Sequence, residues 1–441
     1  MRMARYGVVF SVGLLFAFVV QSSGALSSIV EQSTFKALDR FSWAFEQIRS
    51  QYVEPTQDDA MIDAAVQGML SSLDPHSSWL NAADYQSLQS DAQGAFGGLG
   101  IEVTVENGVI KVVSPIDDTP ASRAGVRPGD YITHLDGMSV QGLPLRDAVE
   151  RMRGPEGAPI RLTLVRAGVE QPLEVTLVRE RIKVRSVWRR LEEGRIGYLR
   201  IAQFSEQTQP GLDAALKALN SNPSTVPVAY VLDLRNNPGG TLDAAVSVAD
   251  TFLDRGLIVS TRGRDPKEVS DIRAHPGDAA KGAPLVVLIN DGSASAAEIV
   301  AGALQDQARG LVMGVRSFGK GSVQRIFPAP FPKSGAIKLT TQRYYTPSGR
   351  SIQGRGVDPD IVVPQALVEA LESDPMHEED LRNALKNETT ADAASDTPAP
   401  AAPLEPGVAP QAAEEDYQLA RALDMARALA RYRHMTMATA R

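Results

Sequence analysis

The 441-residue sequence contains no cysteine. That absence removes structural disulfides, thiolate nucleophiles and cysteine-based zinc sites together, while a disulfide-free chain fits either side of a membrane. Histidine is scarce: the chain has five, at positions 76, 134, 275, 377 and 434. None lies in a glycine-rich turn and no G-x-S-x-G elbow occurs, so a histidine-based triad has little to build on. His76 sits in an Asp-Pro-His turn suited to structural hydrogen bonding, and His134 falls in an expected β-strand. A basic excess is missing as well. The net charge is −8, whereas nucleic-acid binding needs a basic footprint. What is present, 43% hydrophobic and 22% charged residues, is the composition of a globular chain with two or three domains.

Long apolar runs are absent beyond the first residues. Arg2 and Arg5 precede an apolar run over 8–20, broken only by Ser11 and Gly13, and Ser22, Ser23, Gly24 and Ala25 follow. Ser23 and Ala25 are spaced like an export-signal cleavage site. The run is short of the ~20 residues of a transmembrane helix. Residues 1–25 therefore read as a signal peptide, or as an uncleaved anchor, and either one exports the chain.

Region 26–92 is helical in pattern: Phe35, Leu38, Phe41, Phe45 and Ile48 recur at three- and four-residue spacing, as do Ile62, Val66, Met69 and Leu73. Region 93–180 turns to β. Short runs rich in β-branched residues over 101–105, 109–113, 131–135, 160–165 and 173–178 are separated by Asn-Gly, Pro-Gly-Asp and Asp-Gly turns. Region 181–365 alternates strand and helix, with strands expected over 196–201, 228–234, 257–261, 285–289, 311–315 and 336–343. Continuous apolar runs such as Leu285–Ile289 suit a sheet covered on both faces. A helical extension over 366–386 leads to an Ala/Pro-rich linker, 387–415, of disordered composition. The tail 416–441 is helical again, fit to dock on a partner, to dock on the protein itself, or to stay solvated.

Three strand-to-turn segments carry candidate chemistry. Ser293-Ala-Ser295-Ala296-Ala-Glu298 follows the strand at 285–289 and opens a helix. A serine there lies beside unpaired N–H groups and the positive end of the helix dipole, which favour an alkoxide and an oxyanion. Taken alone, Ser295 with Glu298 is equally a capping box. Phe318-Gly319-Lys320-Gly321 is a glycine-flanked lysine loop that nearly spells a phosphate-binding loop. The hydroxyl residue that should follow the lysine is Gly321, which counts against a nucleotide hydrolase. Arg235-Asn236-Asn237-Pro238-Gly239-Gly240 is a turn whose glycines bring N–H groups close to a substrate carbonyl, or simply a tight connection.

Together these segments resemble the carboxy-terminal processing peptidase (tail-specific protease) family. Leu73–Ser78, the Gly349–Gly354 run and Pro359-Asp360-Ile361 match further family signatures, and the likeness runs from about residue 35 to 363. Phe96-Gly97-Gly98-Leu99-Gly100-Ile101 is similar to the carboxylate-binding loop of PDZ domains. The resemblance implies an α+β multidomain chain: an α/β crotonase/ClpP-like protease core over 181–365, an inserted mainly-β PDZ domain over 93–180, and helical N- and C-terminal segments. It implies Ser295 as nucleophile, Lys320 as base, Gln324 as their companion, and an oxyanion hole of Ala296 N–H with Gly239 or Gly240. Gly98, Leu99, Gly100 and Ile101 would hold the peptide end, and Leu145, Val149 and Met152 line its pocket or belong to the core. Lysine, near 10.4 when unperturbed, serves as a base only when burial or a positive field lowers it. The expected activity is an exported, periplasmic or inner-membrane-anchored serine endopeptidase acting on proteins with apolar C-termini. It needs no metal or cofactor, binds no nucleic acid, and forms homo-oligomers with a possible helical-repeat adaptor. The rival expectation is a PDZ scaffold that only binds.

Overall fold

The computed structural model describes residues 35–106, 108–116, 118–192, 195–330, 335–366 and 416–439. The expected signal segment, the 387–415 linker and all but Ala366 of the 366–386 extension lie outside them. Two compact units result. One takes the chain up to Leu80 with Ile326–Pro330 and Ala336–Leu339, and the other takes the rest.

The first unit is built from α1 (residues 35–51), α2 (Asp58–Ser71) and β1 (Ser78–Leu80), and Pro55 falls between the helices. The apolar stripe read from the sequence forms a helix face, but Phe35, Leu38, Trp43 and Ile48 on α1 are all exposed. In the Asp-Pro-His turn the Asp74 carboxylate accepts the His76 and Ser77 N–H groups at 2.9 and 3.0 Å. That is an Asx turn, the structural role expected of this segment.

The second unit opens with α3 (Ala82–Gln93), N-capped by Asn81 and ended by Gly94 at φ +60°. Strands β2 (Ala95–Gly98) and β9 (Glu180–Lys183) pair antiparallel and bracket a small β-domain. Within it, β3 (Ile101–Glu106), β4 (Val109–Pro115), β5 (Tyr131–Leu135), β7 (Pro159–Val165) and β8 (Leu173–Val178) form one sheet in that order, with β6 (Met138–Ser139) on β5. Helices α4 (Pro120–Arg123) and α5 (Leu145–Met152) complete it. Strand alternation puts Ile160, Leu162 and Leu164 of β7 inside with Ile110, Val112, Ile132 and Leu135, while their neighbours face outward.

The larger sheet runs β10 (Val187–Glu192), β11 (Ile196–Ile201), β12 (Ala229–Asp233), β15 (Leu285–Ile289), β16 (Leu311–Gly314), β19 (Ile361–Val362). Only β10 is antiparallel. Strands β13 (Leu257–Arg262) and β14 (Val269–Arg273) pair with each other, and β13 also pairs with the end of β18 (Ala336–Tyr345). Strand β17 (Ser322–Pro328) pairs with β18 as well.

On one face of the larger sheet, Leu199, Leu232, Val287 and Ile289 meet α6 (Thr208–Leu219), α7 (Leu242–Phe252) and α8 (Ala296–Asp306). On the other, Tyr198, Val231, Val286 and Leu288 meet Leu419, Ala422, Leu423 and Ala426 of α9 (Tyr417–Thr439). Those four residues recur at three- and four-residue spacing, the stripe of a helix with one buried face. Of the three fates open to this tail, docking on its own sheet is the one observed. Because β12, β15 and β16 are parallel, the turns leaving their C-terminal ends gather on one edge, where ligands bind in such sheets. Among the described residues no helix is long and apolar enough to cross a membrane.

Candidate active site

The turn after β12 is organised by Asn237, which is wholly buried. Its side-chain nitrogen donates to Ile201 O at 2.9 Å, its side-chain oxygen accepts the Gly239 N–H at 2.9 Å, and its own carbonyl accepts the Ala294 N–H at 2.9 Å. Asn236 and Asn290 join the same two turns from outside, since Asn290 accepts the Asn236 N–H and donates to its side chain, both at 2.8 Å. The glycines are sterically required. A Cβ on Gly239 (φ +103°) would lie 2.8 Å from the Ser295 Cβ, and one on Gly240 (φ +143°) 1.8 Å from the Phe204 carbonyl.

Ser295 stands one residue before α8 at φ 55°, ψ −112°, and is 7% exposed. A non-glycine residue in such a region costs about 1–3 kcal/mol and persists where its surroundings over-determine it. The surroundings here are dominated by Glu298, fully buried one turn along the helix. Its Oε2 accepts the Ser295 N–H at 2.7 Å and the Lys320 N–H at 2.9 Å. Its Oε1 accepts the Gly319 N–H at 2.7 Å and the Ser317 hydroxyl at 2.6 Å. Burial pushes the Glu298 carboxyl above its usual range, and those four donors pull it partly back. Tyr344 closes the other side: its backbone N–H donates to Gly321 O at 2.7 Å, and its side chain interacts with Ser295. Burial pushes that phenol up to about 12, offset in part by the Ser295 contact, so it stays neutral in the working range.

The lysine loop is thus not a phosphate cradle. Its Gly319 and Lys320 N–H groups already hold the Glu298 carboxylate. At Gly321 an added Cβ would lie 2.3 Å from the Gln353 nitrogen, so the hydroxyl residue of a phosphate loop does not fit. The Gly349–Gly354 signature braces this loop, and Asp360 holds β16 before it. The Gln353 side chain accepts the Gly321 N–H at 3.0 Å, Gly354 donates to Gly319 O at 2.8 Å, and Asp360 accepts the Val312 N–H at 2.8 Å. Gln324, on β17, donates to Ser322 Oγ at 2.9 Å and to Thr340 Oγ1 at 3.1 Å.

Among the described residues, the Ala296 and Gly240 N–H groups make no hydrogen bond. The Gly239 N–H is taken up by the Asn237 side chain. In the β-domain, Gly98, Leu99, Gly100 and Ile101 line a cavity of about 210 Å³ together with Val149 and Met152. Leu99 is 3% exposed and its side chain belongs to the domain core, so its contribution to a ligand is its backbone. The Leu99 and Gly100 N–H groups make no hydrogen bond among the described residues. Leu145 lines a neighbouring cavity instead.

Sequence reasoning named Glu298 only as a capping partner and missed its reach to residues 317–320. It placed Arg235 at the head of its turn without finding the partners. The guanidinium is gripped by Asp233 at 2.7 and 3.0 Å and by Asp416 at 2.7 and 2.8 Å. Tyr344 had no sequence signal tying it to Ser295.

Residues 195–363 match Peptidase family S41, residues 111–166 a PDZ domain, and residues 19–83 the activating protease CtpB N-terminal domain. The carboxy-terminal-processing protease of Bartonella bacilliformis is 50% identical over 397 residues, covering 89% of this chain and 91% of that one. The carboxy-terminal processing protease CtpA of Bacillus subtilis is 33% identical over 350 residues, covering 79% and 73%. A solved photosystem II D1 C-terminal processing protease is 31% identical, covers 73% of this chain and 87% of its own, and superposes with a TM-score of 0.43. With half of its residues identical to one such protease over most of both chains, the chain belongs to the carboxy-terminal processing protease family of S41 peptidases, serine-type enzymes, and carries a PDZ domain.

Proposed function

We propose that peptide hydrolysis here runs through Ser295 and Lys320. The Ser295 hydroxyl attacks the scissile carbonyl while neutral Lys320 takes its proton, and the lysine then protonates the leaving amine. Water resolves the acyl-enzyme by the same route in reverse. The N–H groups of Ala296 and Gly240 receive the oxyanion, and Gln324 orients the lysine or a substrate group. One observation carries the reading: a single buried carboxylate, Glu298, holds the backbone N–H of both Ser295 and Lys320.

The free N–H groups at Leu99 and Gly100 support capture of a substrate's terminal carboxylate, with the peptide added as a strand beside β3 over an apolar groove. The substrates of this reading are unstructured proteins with apolar C-termini. We further place the chain outside the cytoplasm, in the periplasm or anchored to face it, on the strength of the basic-apolar-small start of the sequence. A crotonase/ClpP-like core fits the succession of parallel strands with three helices on one face. The exposed apolar stripe of α1 supports assembly into homo-oligomers or onto a helical-repeat adaptor.

The test is degradation of an unstructured reporter ending in apolar residues. Ser295→Ala and Lys320→Ala, each folded by circular dichroism, are expected to lose about a thousandfold or more in kcat. Parent-like degradation by either variant overturns the assignment.

A further inference from the structure

The S41 match ends at residue 363, yet the hydrogen-bond network of the site does not. Asp416 lies just before α9, and one carboxylate there does two jobs. Its Oδ1 accepts the Leu419 N–H at 3.0 Å, which caps the helix, and its two oxygens grip the Arg235 guanidinium at 2.8 and 2.7 Å. Arg235 is 7% exposed, while the Asp416 side chain keeps 26% of its surface open on one side of the pair. Its other edge lies on Asp233, which the Tyr198 hydroxyl and Arg200 also reach, at 2.9 and 3.6 Å. Gln418 adds a second link from α9, accepting from Arg235 at 3.2 Å and donating to Val363 O at 2.7 Å. Two residues beyond Arg235 is Asn237, which fixes both the Gly239 N–H and the Ala294 N–H beside Ser295.

We propose that Asp416 is a positioning residue for peptide hydrolysis: through Arg235 it sets the 235–240 turn, and the C-terminal helix is thereby a working part of the active site. The proposal rests on the reading that this turn supplies an oxyanion donor. The pair needs to be strong because the turn's glycines have wide conformational freedom, while a donor displaced by about an ångström loses most of its value in the transition state. Helix α9 supplies what the turn lacks, a rigid element docked on the sheet by Leu419, Ala422, Leu423 and Ala426. A polar cavity of about 790 Å³, lined by Arg235, Asn236, Asn290, Arg316 and Asp416, lies alongside and admits small ions to the pair.

The full chain with Asp416→Ala is expected to cleave the apolar-tailed reporter with kcat lowered about tenfold and KM within about twofold. Sodium formate, compared with sodium chloride at equal ionic strength, is expected to restore much of that kcat by placing a carboxylate on Arg235. Asp416→Asn is expected to show the same fall without the rescue, its amide filling the place. Asp424→Asn, on a half-exposed α9 side chain paired among the described residues with Arg421 and Arg427, is expected to leave kcat unchanged. Parent-like kcat in Asp416→Ala and Asp416→Asn overturns the proposal, as does a fall in kcat that formate leaves untouched. Should Asp416→Ala fail to fold, Asp416→Asn decides: a kcat equal to the parent's overturns it. An inactive Ser295→Ala beside a fully active Asp416→Ala removes only the strut, while an active Ser295→Ala removes the nucleophile reading itself.

Discussion

In the proposed mechanism the turns around Ser295 and the loop over Gly98–Ile101 face the same task, presenting backbone N–H groups to a negatively charged oxygen. They meet it by different means. Around Ser295 the backbone is held by side chains that do no chemistry: both are fully buried, the Glu298 carboxylate accepting four hydrogen bonds and the Asn237 amide giving one and accepting one. The PDZ loop is held by backbone. Gly100 O accepts the Ile116 N–H at 2.8 Å, Leu99 O accepts the Ala121 N–H at 3.0 Å, and one side chain, Thr119, bonds Gly100 O at 3.2 Å. The reason lies in what each must bind. An oxyanion exists only in the transition state and rewards donors fixed beforehand, whereas a peptide end arrives with its own strand hydrogen bonds and tolerates an open groove. Removing a buried polar side chain should therefore hurt the first region, while in the second the damaging change is an added Cβ on the loop itself.

The largest effect is expected at Glu298. Glu298→Leu leaves the Ser295, Gly319 and Lys320 N–H groups and the Ser317 hydroxyl without their acceptor. At about 1–3 kcal/mol for each of these four unsatisfied groups, a loss of at least about 4 kcal/mol is expected in urea unfolding. More than about a hundredfold should go from kcat, with peptide affinity of the PDZ domain unchanged. Acid tests the same residue more gently. Its folded pKa lies above the ordinary 4.5, so the folded state takes up this proton before the unfolded state does. That contribution to stability is full below 4.5 and is lost as pH rises through the folded value. Protonation also turns an acceptor into a donor. Activity should therefore fall with acid at a pH above 4.5 without a matching loss of stability from this group. Protonation of Lys320 gives an acid limb of its own, so the test is a difference: kcat–pH profiles of the same shape in the parent and in Glu298→Gln would break this account.

Gly100→Ala reverses the pattern. Gly100 sits at φ +74°, and a Cβ there would lie 2.3 to 2.4 Å from the Thr119 side chain. The loop must shift, and binding of a labelled apolar-tailed peptide, read by fluorescence anisotropy, should weaken about tenfold, or 1.4 kcal/mol. At saturating substrate kcat should stay within about twofold of the parent. A large loss of kcat with affinity intact would mean the two regions are not separable in this way.

These differences track how much could be read in the sequence. Strands at 196–201, 285–289 and 173–178 fall where the apolar, β-branched runs put them, because turn residues bound them. Strand β17, right after Lys320, escaped notice because its buried and half-buried positions mix Ser322, Val323 and Gln324 with Ile326. The Ser295, Lys320 and Arg235 turns were legible as motifs, since each is a local run of glycine, asparagine and serine. Their connections were not. Glu298 reaches residues 317–320 and Asp416 reaches Arg235 only after the parallel sheet has stacked three turns on one edge and received α9 on its second face. The stripe on α9 announces a buried face and says nothing of what buries it.

The smallest effect is expected beside the PDZ groove, where a side-chain link spans the neighbouring cavity. Arg146 on α5 lies 3.7 Å from Asp84 on α3, across a cavity of about 710 Å³ that also includes Phe96 and Val149. It reaches Glu150 on its own helix at 3.2 Å. The Arg146 and Asp84 side chains are 77% and 44% exposed, so water and salt screen the pair, and such links are worth between nothing and about 1 kcal/mol. Arg146→Ala should change peptide affinity less than about twofold, with the difference shrinking as salt is raised. The comparison with Gly100→Ala is what gives this measurement its weight. If Arg146→Ala weakened the peptide as much as the added methyl group does, the groove would depend on side-chain cross-links after all. Its geometry would then be set as the turns around Ser295 are, and the division between a stapled oxyanion site and a backbone-built carboxylate site would fail.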